Sequence, residues 1–125
     1  MSVSHSLSLT STNEARQVAS IAGTTLTGSQ EINITKLVAA AQTNLLIPIS
    51  FPVASVLSVV IVADGNCTLK TNSSGSPQET LNITANVPLV WQYQSGSTVP
   101  FAGNVTAMYI TNTPAVNLRI RILLS

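Results

Sequence analysis

The sequence predicts an all-β fold, namely an antiparallel β-sandwich or jelly roll. Apolar and polar residues alternate in several short segments, which is the pattern of a strand with one buried face. Glycine, proline, asparagine and aspartate separate these segments at close spacing, as in sandwiches built from many short strands. No long segment repeats its apolar residues with helical periodicity.

The predicted strands follow one another along the chain. Residues 56–62 are almost continuously apolar and mostly β-branched, which predicts a central strand covered on both faces. Residues 35–42 fit a short helix that begins at Thr35, and they fit a strand nearly as well. The alternating segments are residues 6–10, 31–35, 80–84 and 117–124, and the strands they indicate in the second half of the chain cover residues 79–85, 88–94, 105–111 and 115–124.

Two pairs of consecutive strands are expected to form hairpins. Asp64 and Gly65 make a sequence that suits a tight hairpin turn, so residues 67–71 are predicted to pair with the strand at 56–62. The last two strands are predicted to pair across residues 112–114.

The chain length suits one domain that spans residues 1–125. Its first thirty residues are richer in serine, threonine and glycine than the rest. We therefore expect residues 1–30 to include an extended N-terminal arm that becomes ordered on a partner.

Charged residues make up only 7% of the chain, and the formal net charge is +1. Polarity comes instead from serine, threonine, asparagine and glutamine. Such a surface argues against nucleic-acid binding, which depends on clustered lysine and arginine. A net charge near zero also favours association, so we expect the domain to work inside an assembly.

No membrane span or secretory signal is expected. Residues 45–63 have the length of a span, but Pro48 and Pro52 would break a helix there, and β-branched residues dominate the remainder. The N-terminus lacks the basic start and apolar core of a secretory signal.

The inventory for chemistry is thin, so we expect no enzyme, no cofactor and no metal site. The chain has one histidine, His5, and one cysteine, Cys67, with four carboxylates. His5 lies in the predicted arm and fits a solvated or interface residue. Cys67 fits a buried, small apolar residue of a strand, and a single cysteine excludes an intrachain disulfide.

Two pairs of side chains suit protein interfaces. Trp91 and Tyr93 are two residues apart and would share one face of a strand, where they could anchor an interface or stack on a sugar. Arg119 and Arg121 share one face of the last strand, where they could bind a neighbouring subunit through Glu31 or Glu79, or protect a sheet edge from aggregation.

A resemblance joins these features. From about Val59 onward, the order of strand and turn sequences resembles a group of small structural proteins of tailed bacteriophages, of the capsid cement or decoration type. The resemblance covers roughly half of the chain and contains no catalytic signature. The segments that carry it are residues 64–72, 79–81, 87–92, 100–101, 105–112 and 118–123.

The resemblance implies a virion protein that bridges subunits of the major capsid protein on the capsid surface and is assembled in the host cytoplasm. It also suggests a homo-oligomer, a dimer or a trimer, whose N-terminal segment contacts the shell or a sister subunit. A tail, neck or fibre component is the alternative within phages, and a carbohydrate-binding module is the alternative from another class. The candidate interface residues are Trp91, Tyr93, Arg119, Arg121, His5, Leu7 and Leu9.

Overall fold

The computed structural model describes residues 3–12, 17–93 and 96–125, with side chains for Ser4 and, within these ranges, from Gly28 onward. This part of the chain contains ten strands and one short 3-10 turn, Val53–Ser55. The strands are β1 (Val3–Thr12), β2 (Gln17–Gly28), β3 (Gln30–Val38), β4 (Leu45–Ile47), β5 (Val56–Ala63), β6 (Cys67–Thr71), β7 (Thr80–Ile83), β8 (Leu89–Gln92), β9 (Met108–Asn112) and β10 (Val116–Leu124).

Eight of these strands form two antiparallel sheets that pack face to face. Sheet I has the order β3-β10-β5-β8, and sheet II has the order β4-β9-β6-β7. Successive strands from β3 onward change sheet at every connection except the one between β6 and β7. This order is that of an eight-stranded jelly roll, so the predicted fold class is confirmed.

The core between the sheets is built from side chains that alternate with exposed ones along each strand. In β10, Leu118, Ile120 and Ile122 are fully buried, whereas the neighbouring Arg119 and Arg121 are exposed. Sheet II supplies the opposite wall in the same way, with Leu69 of β6 and Ile110 of β9 directly paired and both fully buried. Alternate residues of a strand point to opposite faces, so this pattern fixes which face of each sheet meets the core.

The predicted hairpin at residues 64–66 is wrong. β5 and β6 lie in different sheets, and both hydrogen-bonding edges of β5 are already taken by β10 and β8. Gly65 does not adopt the positive φ that the predicted turn type needs. Instead the segment crosses between the sheets, where the Asn117 N–H donates to Asp64 Oδ1 at 2.7 Å.

The predicted pairing of the last two strands is also wrong. β9 pairs with β4 and β6, while β10 pairs with β3 and β5. The connection passes from one sheet to the other and is held by Asn112, whose Nδ2 donates to the carbonyl oxygens of Ala39 at 2.9 Å and Pro114 at 2.6 Å.

Three further elements differ from expectation. The segment that fitted either a helix or a strand continues β3 as far as Val38. β4 was not expected at all, because its three residues are too few to show a period. β5 is central in sheet I as predicted, but only one of its faces is fully covered, since Val60 and Val62 on the outer face are partly exposed.

The expected N-terminal arm contains a hairpin in which β1 and β2 pair antiparallel. The hairpin strands contact β10 and β5. At its end the chain passes closely over β10, where the Ser29 N–H donates to the Leu124 carbonyl at 2.9 Å and a Cβ at Gly28 would come within 3.0 Å of the Leu123 side chain. Leu123 is fully buried although it faces away from the core.

Across its described ranges, the chain has no helix that is both long enough and apolar enough to span a membrane.

The amide of Asn72 holds together the loops at one end of the sandwich. Asn72 adopts a φ of 69°, and its Nδ2 donates to Gln78 Oε1 at 2.6 Å and to the Asn104 carbonyl at 2.9 Å. Its Oδ1 accepts the Thr106 N–H at 2.8 Å. Asparagine suits this position because it tolerates a left-handed backbone and offers both a donor and an acceptor.

Two substitutions of Asn72 separate the contribution of its left-handed backbone from that of its side-chain hydrogen bonds. Asn72→Gly keeps the backbone freedom and loses the side-chain hydrogen bonds, so we expect it to lower the free energy of unfolding by about 1–2 kcal/mol. Asn72→Ala should cost about 1 kcal/mol more, because alanine is strained at positive φ. Urea denaturation of both variants measures the difference, and equal stabilities would contradict the role assigned to the backbone.

Cys67 faces the core in β6 and is a free thiol with a relative exposure of 6%. This confirms the expectation of a buried strand residue. Burial raises the pKa of the Cys67 thiol above its ordinary value of 9.0, because the charged thiolate is poorly solvated there. The folded chain therefore holds this proton more tightly than the unfolded chain does.

The raised pKa of Cys67 predicts that ionisation of this thiol lowers the free energy of unfolding at alkaline pH. Between the unfolded and the folded pKa the folded state binds more protons, so the free energy of unfolding falls as the pH rises above about 9. The stability advantage of the wild type over Cys67→Ala should be constant from pH 6 to 8 and shrink by pH 10. An advantage that stays constant or grows in alkali would contradict a buried neutral thiol.

Candidate interaction surface

The outer face of sheet I brings Arg119 and Arg121 together at its centre. In β10, Arg119 lies opposite Val62 of β5 and Arg121 lies opposite Val60. Both arginines are exposed, and neither guanidinium has a hydrogen-bond or ion-pair partner among the described residues. Both are therefore available to a partner.

The structure corrects one alternative for these arginines. A role in protecting a sheet edge would require them on an outermost strand, but β10 lies between β3 and β5. Of the two carboxylates named as partners, Glu79 directly precedes β7 of sheet II, and its Oε1 accepts the Ala102 N–H at 3.0 Å. Glu31 lies on the same face as the arginines, opposite Leu123.

Apolar side chains flank the arginines on the β5 and β8 side. Val60 and Val62 are partly exposed, and Val90, which pairs with Val60, is 39% exposed. We call the surface made by Arg119, Arg121, Val60, Val62 and Val90 the arginine face. Its five side chains occupy adjacent strands on one side of one sheet, so a flat partner could contact all of them together.

The two ends of the arginine face differ. At one end it runs into Leu123 and Ser58, which are paired across β10 and β5 and are both buried on the outer side of the sheet near the N-terminal hairpin. At the other end a groove of about 330 Å³ opens beside Arg119, lined also by Asp64, Asn86 and Asn117. The face is thus continuous from the hairpin to this groove.

The chemistry of the arginine face suits a protein surface that carries carboxylates around an apolar patch. Guanidinium groups bind carboxylates with two parallel hydrogen bonds, and arginine keeps its charge at any physiological pH. The valines supply apolar area that becomes favourable when water is removed. The sequence identified the arginines but not Val60 and Val62, because both faces of β5 were expected inside the core, and it did not single out Val90 of β8.

Trp91 and Tyr93 do not form a shared exposed platform. Trp91 is half-buried against the core, and its Nε1 donates to the Ser97 carbonyl at 2.8 Å. Tyr93 lies one residue beyond the end of β8 and is 52% exposed. The strand ends too early for the two-residue spacing to put both rings on one open face.

The remaining candidates, His5, Leu7 and Leu9, lie in β1 and pair with Leu26, Thr24 and Ile21 of β2. A register shift falls between Leu7 and Leu9, so the alternation is interrupted there. The side chains of these residues are outside the described part of the structure.

The outer face of sheet II is more polar. It carries Lys70, Tyr109 and Thr68, and beside them a groove of about 380 Å³ is lined largely by asparagine and threonine side chains. Among the residues that the structure describes, no three histidine, cysteine or acidic side chains are grouped so that they could hold a metal ion.

Comparison with known proteins gives no match. No protein-family model, curated protein or solved structure matches the chain.

Proposed function

We propose that this protein is a virion structural protein, in particular a capsid cement or decoration protein that binds and stabilises the shell of the major capsid protein. The observation that carries the proposal is the arginine face, an exposed sheet surface with two unpaired guanidiniums beside three valines. In this proposal the arginine face is the contact with the shell.

The fold agrees with the proposal at the level of analogy. Jelly rolls occur in viral capsid proteins, in lectins and in cupins, so the topology narrows the class without selecting one member. A sugar partner is disfavoured because Trp91, which would stack on a sugar, is half-buried against the core. The arginine face instead suits a protein partner.

The composition also agrees with this role. A cement protein has to occupy many equivalent sites and hold them while salt and pressure vary. Contacts made mainly by apolar area and neutral hydrogen bonds meet that requirement, since screening by salt weakens only exposed charges. With 7% charged residues, the chain has few contacts that salt can weaken, and the two arginines of the proposed contact lie beside valines whose apolar contacts salt does not weaken.

Self-association belongs to the proposal as well. Closed symmetric oligomers multiply individually weak contacts, so a dimer or trimer would bind a repeating shell more tightly than a monomer. The protein would then act on the capsid surface after assembly in the host cytoplasm, with the major capsid protein and its own copies as partners.

Charge reversal on the arginine face tests the shell contact. The double variant Arg119→Glu and Arg121→Glu should bind purified capsids lacking this protein at least about tenfold more weakly than the wild type, because two paired charges become repulsive. Lys70→Glu is the control for a charge reversal elsewhere, since it reverses one charge on the outer face of sheet II. Co-sedimentation over a concentration series measures both, and equal loss in both variants, or in neither, would count against the arginine face.

The location of the protein in the particle tests the class of function. Mass spectrometry of purified virions followed by cryo-electron microscopy should find the chain on the outside of the capsid at copy numbers that match the lattice. Density at the tail or neck would replace the cement role with the tail or neck alternative. Absence from virions would reject the virion proposal.

The N-terminal hairpin is the second proposed contact, with the shell or with a sister subunit. Removing residues 1–12 takes away β1, including His5, Leu7 and Leu9, and should weaken assembly while sheets I and II stay folded. Co-sedimentation with capsids measures the binding of the truncated protein, and near-ultraviolet circular dichroism measures whether its two sheets remain folded. Unchanged binding by a folded truncation would remove the hairpin from the proposal.

A further inference from the structure

β3 is an unusually open edge of the sandwich. The other three edge strands, β4, β7 and β8, have three or four residues each, whereas β3 has nine. Short edge strands, prolines and bulges are the usual protection against strand pairing. β3 has no proline, and its pairing with β10 runs from Gln30 to Val38 without a register shift.

The direction of the backbone groups along this edge follows from contacts made by β10. The N–H groups of Asn117 and Ser125 donate toward the β5 side, to Asp64 Oδ1 and to the Ser55 carbonyl. Neighbouring residues of a strand direct their N–H and C=O groups to opposite edges. The even-numbered residues of β10 therefore bond to β3, and their partners are also even-numbered, as in the pair Ile120 and Ile34.

It follows that the odd-numbered residues of β3 direct their backbone groups outward. Asn33, Thr35 and Leu37 each present an N–H and a C=O at the edge of sheet I, where no described strand pairs with them. Apolar surface accompanies these groups. Ile32 and Ile34 pack against the core but are only partly buried, and Leu37 is 77% exposed.

We infer that β3 pairs antiparallel with β3 of a second copy of this chain, about a two-fold axis that passes through Ile34. In this register Ile34 faces Ile34 of the other copy, and Asn33 exchanges backbone hydrogen bonds with Thr35. Core-side residues stay opposite core-side residues, as a continuous sheet requires. The two copies of sheet I, with four strands each, become one sheet of eight strands.

The charges on β3 disfavour a parallel pairing of the two copies. A parallel pairing in register would place Lys36 opposite Lys36 and Glu31 opposite Glu31, and like charges directly opposite each other are destabilising. The antiparallel register about Ile34 instead places Lys36 opposite Ile32 and Glu31 opposite Leu37. Lys36 lies on the core side of this edge, where an inward-pointing charge opposes pairing, so the dimer depends on the outward backbone groups and the apolar side chains around them.

The inference deepens the self-association part of the proposed function. A two-fold axis perpendicular to the sheet keeps both outer faces on the same side, so the two arginine faces of the dimer point in one direction. A flat shell could bind both at once, which raises the effective affinity without any new contact. The dimer itself is measured on the purified protein without capsids, so its failure and the failure of shell binding are distinguishable.

Thr35→Pro tests the edge with little effect on the fold. Proline at this position removes an outward N–H that sheet I does not use, whereas the dimer requires it. Light scattering coupled to size-exclusion chromatography should show a dimer for the wild type and for Thr35→Ala, and a dissociation constant at least about tenfold higher for Thr35→Pro. A wild-type monomer, or a Thr35→Pro dimer as stable as the wild type, would overturn the inference.

A cysteine substitution at the proposed axis tests the register. Across the proposed axis the two Ile34 residues form a non-hydrogen-bonded pair with Cα atoms about 4.5 Å apart, which suits a disulfide. The two Lys36 residues would be about 14 Å apart, since four residues separate them along the strand at about 3.4 Å per residue, which is too far. Ile34→Cys should therefore form covalent dimers on mild oxidation while Lys36→Cys does not, and equal cross-linking of the two variants would contradict the register.

Discussion

The alternation of apolar and charged residues along β10 is the constraint on which the rest of the structure depends. β10 pairs with β3 on one side and with β5 on the other, so it sets the register of three of the four strands of sheet I. Its even-numbered side chains are fully buried in the core, and burial of each such group contributes about 1.5–3 kcal/mol. A shift of one residue would bury Arg119 and Arg121 and expose those side chains, which no other contact in the sandwich could offset.

The same alternation of apolar and polar residues explains which parts of the fold could be predicted from the sequence. The strands themselves follow from local alternation, and all but β2 and β4 were expected close to where they lie. Their pairing did not follow, because it is decided by contacts between distant residues. Asp64 and Gly65 locally suit a hairpin, yet β5 already has β10 and β8 as partners, so the chain crosses to sheet II. In a jelly roll most sequence neighbours lie in opposite sheets, and a rule that pairs consecutive strands fails there.

The candidate surface was predictable to the same extent. Arg119 and Arg121 were recognised because charged residues stand out in an apolar strand. Val60 and Val62 beside them were missed, since an almost continuous apolar run such as β5 predicts burial on both faces. Trp91 shows the converse error, because an aromatic pair with two-residue spacing predicts a shared face only while the strand continues, and β8 ends at Gln92. Strand ends and the cover on each face are tertiary properties that no local pattern contains.

Low charge and an open edge have a common physical consequence for this domain. Most proteins with a long free edge strand would rely on charged side chains to keep copies apart, but this chain has few, and β3 carries only Glu31 and Lys36. The outward backbone N–H and C=O groups of Asn33, Thr35 and Leu37 are then the groups that a partner strand could bind. In the proposed dimer both copies use the same edge about a two-fold axis, so the pairing ends with two copies and does not propagate into a fibre. A two-fold pair of this kind is closed at the β3 edge while it leaves both arginine faces free for a third partner.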